Sequence, residues 1–233
     1  MQIVFPMGGK GTRFLIKGYT LPKPLLPIGE KKLVQLAMES VSFDPGPWHY
    51  VVSLDIATHS TLPGVFPPGC WHALVQETAG SLQTVWEAKG CLEVEEDLLI
   101  CDCDSVMNPV ELAEAITTFK TRGATGGVTV RRTEDPGCSY AEVDNEWWVK
   151  STREKDVYTP WSSTGPYWFR SGQEFLVAAQ RAMAAQHTSL APVYNYLPGK
   201  TAAVPVESFR HLGTPEAYEA YKQEVEHGIA REA

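Results

Sequence analysis

The sequence lacks both the long apolar runs of a membrane-spanning protein and the basic excess of a nucleic-acid-binding protein. Its 233 residues carry a formal net charge of -8 at pH 7, which disfavours nonspecific binding to nucleic acid. Met1 leads directly into an apolar strand pattern, so we expect no signal peptide. These features predict a soluble, cytoplasmic protein with no nucleic-acid or membrane partner.

Cysteine is scarce, and no C-x-x-C spacing suggests a zinc site. The five cysteines are an odd number, and Cys101 and Cys103 lie on a predicted buried strand. We therefore expect reduced thiols in the core and no disulfide framework. Repeats, low-complexity segments and a Pro/Gly/Ser-rich linker are also missing. With 43% hydrophobic residues, the chain is expected to fold as a single domain.

A glycine-rich turn, MGGKGTR at residues 7–13, follows the apolar strand pattern of Gln2–Pro6. Backbone N–H groups in such a turn can converge on a bound anion, because glycine has no Cβ. Residues 1–32 carry six Lys or Arg against one acid, a local charge of +5. Lys23 lies between two prolines that restrict its backbone. The pattern indicates a binding site for a phosphate chain. A tight turn with no binding role is the alternative, because isolated glycine clusters are common in such turns.

Two common phosphate-binding motifs are absent, the Walker pattern and the dinucleotide fingerprint. The combination of PMGGKGTRF with GYTLPKPLLPIG instead resembles the sugar-phosphate nucleotidylyltransferases, or nucleotide-sugar pyrophosphorylases, in a compact bacterial, cytidylyltransferase-like form. The resemblance implies that Arg13 and Lys23 are catalytic. It also implies that a nucleotide is bound by Met7, Gly8, Gly9, Gly11 and Thr12.

Strand and helix patterns alternate along the chain. Predicted strands after the first include Trp48–Leu54, Ala73–Val75, Asp97–Cys103 and Gly126–Arg131, and predicted helices include Pro109–Lys120 and Phe175–Ala185. This alternation predicts an α/β fold: a three-layer α/β/α, Rossmann-like domain with a mixed, mostly parallel central sheet. The resemblance makes this a nucleotidyltransferase domain of GT-A-like type. Residues 1–131 would then mainly bind the nucleotide and residues 132–233 the acceptor.

Two acids, Asp102 and Asp104, end the predicted strand LLICDCD. Ligands of open α/β sheets bind at the carboxyl ends of the strands, and carboxylate oxygens suit Mg²⁺. The resemblance implies that Asp104 binds the catalytic Mg²⁺. We expect Asp102 to point to the opposite face, unless the strand has already ended. Capping of the next turn is the alternative role for both acids.

The segment Gln76–Gln83 resembles the second nucleotide-contacting loop of the family. Gly80 would let the backbone approach the base, and Gln76 would hydrogen-bond to its edge. An ordinary helix start with Thr78 or Ser81 as its cap is the alternative.

The second half of the chain resembles the acceptor side of the family. A strand pattern covers Ser139–Val143, and a Glu-Lys pair follows at residues 154–155. The resemblance implies that Lys155 holds the phosphate of the acceptor, that Glu142 contacts its body, and that Gly165 allows close approach. A solvated run of charges at residues 153–156 is the alternative.

A Gly-Thr-Pro element at residues 213–215 matches the family, with Thr214 as a predicted helix N-cap. Family members often have an Asp where His211 stands, and that Asp is usually the second metal ligand. Imidazole is a poor partner for Mg²⁺. His211 could therefore bind the metal with Asp104, mark a weakened site, or be a structural histidine.

The resemblance implies transfer of a nucleoside monophosphate from a triphosphate to a sugar 1-phosphate or other small phosphorylated acceptor, with release of pyrophosphate. The short length, GYTLPKPLLP and LAPVYN resemble compact bacterial members that make activated precursors of surface polysaccharide. Among their donors, this resemblance favours CTP marginally over UTP, GTP and dTTP. A homo-oligomer is a further possibility. Two alternatives stay open: a nucleotide-sugar-dependent glycosyltransferase with Asp102 and Asp104 as its metal motif, and an inactive nucleotide-binding protein, suggested by His211.

Overall fold

Strands and helices alternate in this computed structural model, which describes residues 1–57, 64–74 and 76–229. The strands are β1 (Gln2–Met7), β2 (Pro27–Ile28), β3 (Lys31–Lys32), β4 (Trp48–Val52), β5 (Cys70–Ala73), β6 (Leu98–Ile100), β7 (Ser105–Val106), β8 (Gly126–Arg132), β9 (Ser139–Val143), β10 (Trp148–Glu154), β11 (Trp161–Phe169), β12 (Thr201–Pro205) and β13 (Arg210–His211). The helices are α1 (Thr12–Ile16), α2 (Leu33–Glu39), α3 (Leu54–Ala57), α4 (Ser81–Trp86), α5 (Pro109–Thr121), α6 (Gly172–Ala184) and α7 (Pro215–Glu226). Short 3-10 turns lie at Lys23–Leu25, Lys89–Cys91 and Ala191–Tyr196.

Nine strands form the central sheet, in the order β5-β4-β1-β6-β11-β8-β12-β10-β9. The neighbours β5, β4, β1 and β6 are parallel. Strand β11 is antiparallel to β6 and joins this half to the second one. Because β9 also pairs with β11, the strands β11, β8, β12, β10 and β9 close into a ring.

The sheet is mixed, and the prediction of a mostly parallel sheet is not confirmed. Among the described strands of the ring, β12 is parallel to β8 and the other pairings are antiparallel. Strands β9 and β10 are joined by a turn in which Asp144 accepts hydrogen bonds from the backbone N–H groups of Glu146 and Trp148. A connection this short can join only antiparallel strands.

Helices cover both faces of the sheet, which gives the predicted three layers. Helices α2 and α5 pack against Ile3 and Phe5 of β1 on one face. Helices α4 and α6 pack against Val4 and its neighbours on the other face. Successive side chains of a strand point to opposite faces, so β1 is buried from both sides. A separate cluster around Phe14 and Tyr218 joins α1 to α7.

The strands near the edge of the site differ from their predicted bounds. The strand predicted over Asp97–Cys103 covers only Leu98–Ile100. Beyond it the chain turns, and the backbone N–H of Ser105 donates to the Asp102 carbonyl at 3.4 Å. The strand predicted over Ala73–Val75 ends at Ala73, and Val75 lies outside the described residues. The early end of β6 frees residues 101–104 to turn away from the sheet.

The predicted helices lie close to their expected positions. Helix α5 extends one residue beyond the predicted Pro109–Lys120, and α6 begins three residues before Phe175. Thr214 caps α7 as predicted, since its side chain accepts a hydrogen bond from the N–H of Ala217 at 3.2 Å. Within the described ranges, no helix combines the length and the apolar character that crossing a bilayer requires.

The cysteines are free thiols, and Cys101 and Cys103 are buried as the sequence predicts. Burial raises the pKa of the Cys103 thiol to about 12. Burial also raises the pKa of Cys101 well above its usual value. Both thiols are therefore protonated at neutral pH and inert as core residues.

Close packing between Gly127 of β8 and Phe119 of α5 gives a test of the fold. A Cβ at Gly127 would lie 2.1 Å from Phe119 Cδ2, and Phe119 also stacks on the buried Trp168. We expect Gly127→Ala to lower the free energy of unfolding by about 1–3 kcal/mol, because the core would be overpacked. Urea denaturation followed by circular dichroism measures this loss.

Gly90 provides the matched control, since no described atom lies within 4 Å of its Cβ position. Gly90→Ala should change the free energy of unfolding by less than about 0.5 kcal/mol. Equal losses in the two variants would contradict the packing argument.

Candidate active site

The glycine-rich turn after β1 is tightly packed on one side and open on the other. A Cβ on Gly8 would lie 2.5 Å from Leu74 Cδ1 and 2.9 Å from Thr84 Oγ1. Gly11 has a left-handed φ of 64° and directly precedes α1. Gly9 is exposed, and no described atom lies within 4 Å of its Cβ position. The open side of the turn can therefore receive a ligand.

A first cavity, of about 280 Å³, lies beside this turn. Four separate segments meet there: the glycine-rich turn, the Pro-Lys-Pro segment, the turn after β6 and the Gly-Thr-Pro element. The residues that line the cavity are Gly11, Thr12, Arg13, Phe14, Lys23, Asp104, His211 and Gly213. The structure thus brings together all three residues predicted to be catalytic. Of the predicted nucleotide-binding residues, Gly11 and Thr12 line it, while the side chain of Met7 is buried in the core.

An ion pair between Lys23 and Asp104 forms one wall of the first cavity. Lys23 Nζ lies 2.6 Å from Asp104 Oδ2, and the two side chains are 23% and 8% exposed. Burial works most strongly against the Lys23 ammonium, but the charge of Asp104, its hydrogen bond and the other acidic groups of residues 102–104 together outweigh burial and raise the pKa of Lys23. Burial also opposes the Asp104 carboxylate, yet Lys23 holds its pKa below the usual range. Both groups are therefore charged at neutral pH.

His211 lies on β13, which pairs with β7 so that His211 is opposite Ser105. A Cβ on Gly213 would lie 2.5 Å from both Asp104 Oδ2 and His211 Cε1. Glycine is therefore required for the two side chains to occupy their positions. Burial lowers the pKa of His211 against the opposing charge of Asp104, so its imidazole is neutral at pH 7.

A second cavity, of about 160 Å³, adjoins the first, and His211 lines both. Gly165, predicted to allow close approach of an acceptor, lies in its wall. This glycine has a φ of 100°, and its Cβ would lie 2.6 Å from Ser105 Oγ and 2.8 Å from Asp102 Oδ2. The space between Ser105 and Asp102 therefore depends on a residue without a side chain.

Asp102 also lines the second cavity, in line with the alternative in which the strand ends before this residue. Because β6 ends at Ile100, the rule of alternation no longer applies at Asp102. Burial and, secondly, the nearby charge of Asp104 raise the pKa of Asp102 to about 7, while Lys23 acts in the opposite direction. The Asp-x-Asp spacing had singled out Asp102 in the sequence, as part of the metal motif of the glycosyltransferase alternative.

Neither Glu142 nor Lys155 is among the described residues that line the two cavities. Glu142 pairs with Lys150, whose Nζ lies 3.5 Å from Glu142 Oε1. Lys155 has a left-handed φ of 53°, and its exposed Nζ lies 3.7 Å from Glu154 Oε1. Glu154 does line the second cavity. Of the predicted Glu-Lys pair, Glu154 therefore lines the second cavity, and Lys155 lies beside Glu154 outside that lining.

The segment at residues 76–80 lies next to the glycine-rich turn, and Lys10 Nζ forms an ion pair with Glu77 Oε2 at 2.9 Å. A Cβ on Gly80 would lie 2.4 Å from the backbone oxygen of Thr188. Close packing against that chain segment therefore accounts for glycine at position 80. Gln76 is exposed, and its contact with a nucleotide base stays a prediction.

Arg131, which sequence reasoning placed only at the end of a strand, lies behind the second cavity. Its guanidinium carbon is 4.9 Å from the centre of the Phe209 ring, which lines the cavity and stacks on His211. The Arg131 Nε is buried and has no hydrogen-bond partner among the described residues. In the sequence Arg131 is only a basic residue at the end of a predicted strand, so its position beside Phe209 could not be predicted.

No protein-family profile matches the chain, and no curated protein matches it at a significant level. Solved structures do match it. A nucleoside-diphosphate-sugar pyrophosphorylase from Vibrio cholerae RC9 is 23% identical, with a TM-score of 0.80 over 95% of this chain and 100% of that chain. A UDP-glucose pyrophosphorylase complexed with UDP-glucose is 16% identical, with a TM-score of 0.79 over 97% and 98% of the two chains.

A UDP-glucose pyrophosphorylase from Acinetobacter baumanii is 14% identical, with a TM-score of 0.79 over 99% of this chain and 94% of that one. The chain therefore has a mixed α/β nucleotidyltransferase fold. In particular, its fold is similar to that of the nucleotide-sugar pyrophosphorylases, the family that its motifs resemble. The sequence identities are low, so this likeness establishes the fold, and the activity has to be argued from the site.

The buried ion pair of Lys23 and Asp104 gives a second prediction. We expect Lys23→Met to lower the free energy of unfolding by about 3 kcal/mol, because the Asp104 carboxylate would be left unpaired. The double variant Lys23→Met with Asp104→Asn should recover most of this loss. Urea denaturation of the variants measures both effects.

The control for this prediction is Lys222→Met, which removes a solvent-facing pair whose Nζ and Glu226 Oε1 are 4.0 Å apart. Its loss should stay below about 1 kcal/mol. A double variant no more stable than Lys23→Met would show that the unpaired carboxylate is not the cause.

Proposed function

We propose that this protein is a nucleotidyltransferase that transfers a nucleoside monophosphate from a triphosphate to a small phosphorylated acceptor, of the sugar 1-phosphate type, and releases pyrophosphate. The observation that carries the proposal is the pair of adjoining cavities that share His211. One is lined by the glycine-rich turn and the Lys23–Asp104 pair, and the other by hydroxyls and carboxylates. Transfer between two substrates needs two such adjacent sites.

The chemistry in this proposal depends on alignment and charge. Backbone N–H groups of the glycine-rich turn, with Arg13, bind the β- and γ-phosphates of the triphosphate. Lys23 neutralises charge at the α-phosphate. An oxygen of the acceptor phosphate attacks the α-phosphorus, the bond to the bridging oxygen breaks, and pyrophosphate leaves with that electron pair. His211, neutral at pH 7, adds no charge between the two cavities.

The residues present fit a Mg²⁺ ion that arrives with the triphosphate. Among the described residues, no group of three His, Cys, Asp or Glu could hold a metal ion alone. Mg²⁺ commonly uses one or two carboxylates together with phosphate oxygens and water, and Asp104 supplies such a carboxylate. When bound, the ion would neutralise charge on the phosphates. We assign the ligand role to Asp104, with His211 beside it.

Finer assignments belong to the same proposal. CTP is the favoured donor, because LAPVYN resembles compact cytidylyltransferase-like members, and Leu190 and Ser189 line the second cavity. An activated precursor of surface polysaccharide as product, a cytoplasmic location and a homo-oligomeric state are proposed from the resemblance. A mainly nucleotide-binding half at residues 1–131 and a mainly acceptor-binding half at residues 132–233 are also proposed.

Pyrophosphate release tests the proposed function. CTP, UTP, GTP, ATP and dTTP are each incubated with Mg²⁺ and a panel of sugar 1-phosphates and small phosphorylated metabolites. We expect release that depends on the acceptor, with CTP preferred. Arg13→Gln and Lys23→Ala should each lower kcat/KM by about 10²–10³-fold, since each removes a charge that stabilises the transition state.

Arg13 is exposed, so its substitution separates activity from folding in a way that Lys23 does not. Arg181→Gln, an exposed substitution on α6, is the matched control and should keep full activity. Turnover of a nucleotide sugar without pyrophosphate would instead favour the glycosyltransferase. Nucleotide binding without any turnover would favour an inactive binding protein.

A further inference from the structure

The second cavity has two acidic residues in its walls and no Lys or Arg among its described lining residues. The two acids are Asp102 and Glu154. The nearest cations lie outside the cavity. Lys155 is at the rim, Arg131 is behind Phe209, and Lys23 is paired with Asp104.

The two carboxylates keep free capacity to accept hydrogen bonds. Within the described ranges, no hydrogen bond to the Asp102 side chain is found. Glu154 accepts one from the Ser139 hydroxyl, and its other oxygen lies 3.7 Å from the exposed Lys155 ammonium. An ionised carboxylate has about four acceptor positions, so Glu154 can bind further donors. A cation bound beside Asp102 would favour the ionised form of that side chain, which accepts in the same way.

The described lining of the second cavity includes a buried hydroxyl group that lacks a hydrogen-bond partner. Ser105 Oγ is buried without a hydrogen-bond partner among the described residues, and Ser105 is 6% exposed. The missing side chain of Gly165 leaves the space between Ser105 and Asp102 open. A buried polar atom without a partner is costly, which indicates that a ligand group completes this site.

We propose that the second cavity selects an acceptor that carries an ammonium group, held by Asp102 and Glu154 with Ser105. This inference rests on the proposed function, in which the same molecule presents its phosphate to the first cavity. An ammonium supplies donors only and a positive charge. Among the described side chains, no cation forms an ion pair with Asp102, and Glu154 has only the exposed Lys155 at 3.7 Å. The positive charge of an ammonium adds a direct attraction to the carboxylates that a neutral hydroxyl donor lacks. The substrate class is an amino sugar phosphate or a phosphorylated amino alcohol.

Two pairs of acceptors, which differ in one group each, test this selection. Glucosamine 1-phosphate is compared with glucose 1-phosphate, and phosphoethanolamine with 2-hydroxyethyl phosphate. We expect the ammonium member of one pair to exceed its hydroxyl partner at least about tenfold in kcat/KM for pyrophosphate release. A preference in the glucosamine pair identifies the acceptor as an amino sugar phosphate. A preference in the phosphoethanolamine pair identifies it as a phosphorylated amino alcohol. Calorimetric titration of the same four compounds gives affinities that do not depend on turnover.

Glu154→Gln keeps the shape of the side chain and removes its charge. It should reduce the ammonium preference about tenfold, in both kcat/KM and affinity. Glu134→Gln is the matched control, because Glu134 is exposed near the cavity and is not part of its described lining. The control should keep the wild-type preference.

The outcomes separate this inference from the proposed function. Pyrophosphate release with equal rates for the two members of each pair would overturn the inference and leave the transferase intact. Preferential binding of an ammonium member without any pyrophosphate release would support the inference and overturn the transferase. Failure of every ammonium compound to bind, or an unchanged preference in Glu154→Gln, would overturn the inference.

Discussion

The buried ion pair between Lys23 and Asp104 is the contact on which the arrangement of the site depends. It joins residues 81 positions apart, across a distance of 2.6 Å. Two prolines restrict the backbone beside Lys23, and the early end of β6 turns Asp104 out of the sheet. Gly213 leaves the room that both Asp104 and His211 need. Four distant segments thus meet at one pair of charges.

Burying these charges is costly, and that cost shapes what the site can do. A buried ion pair is stable only when its geometry is good. Removal of one partner leaves an unpaired buried charge, which strongly destabilises the fold. The same burial keeps the Lys23 ammonium in a fixed position before any ligand arrives. Fixed charges in a poorly solvated site stabilise developing charge without having to reorganise. A phosphate that reaches Lys23 therefore exchanges one anionic partner for another.

Local features of the site could be predicted from the sequence, whereas features set by distant strand pairing could not. The glycine-rich turn, Lys23 and the Thr214 cap follow from neighbouring residues, and the structure places them as expected. The direction of Asp102 was left open, because the end of β6 depends on its pairing with β1 and β11. Lys155 has a left-handed backbone, and its neighbour Glu154 lines the second cavity, which the order of residues alone did not predict. The ring that β9 closes was not predicted either, because no local pattern encodes the pairing of β9 with β11.

The departure at His211 changes where negative charge lies around Lys23. The family that the sequence resembles often has a carboxylate at that position, but here a half-buried, neutral imidazole occupies it. The carboxylates that act on Lys23 are instead Asp104 and, more weakly, Asp102, both from the turn after β6. This turn is anchored by the buried Cys101 and Cys103, and the Asp104 carbonyl accepts a hydrogen bond from the N–H of Leu212 at 2.8 Å. Because Asp104 lines the first cavity and Asp102 the second, one turn contributes an acidic side chain to both.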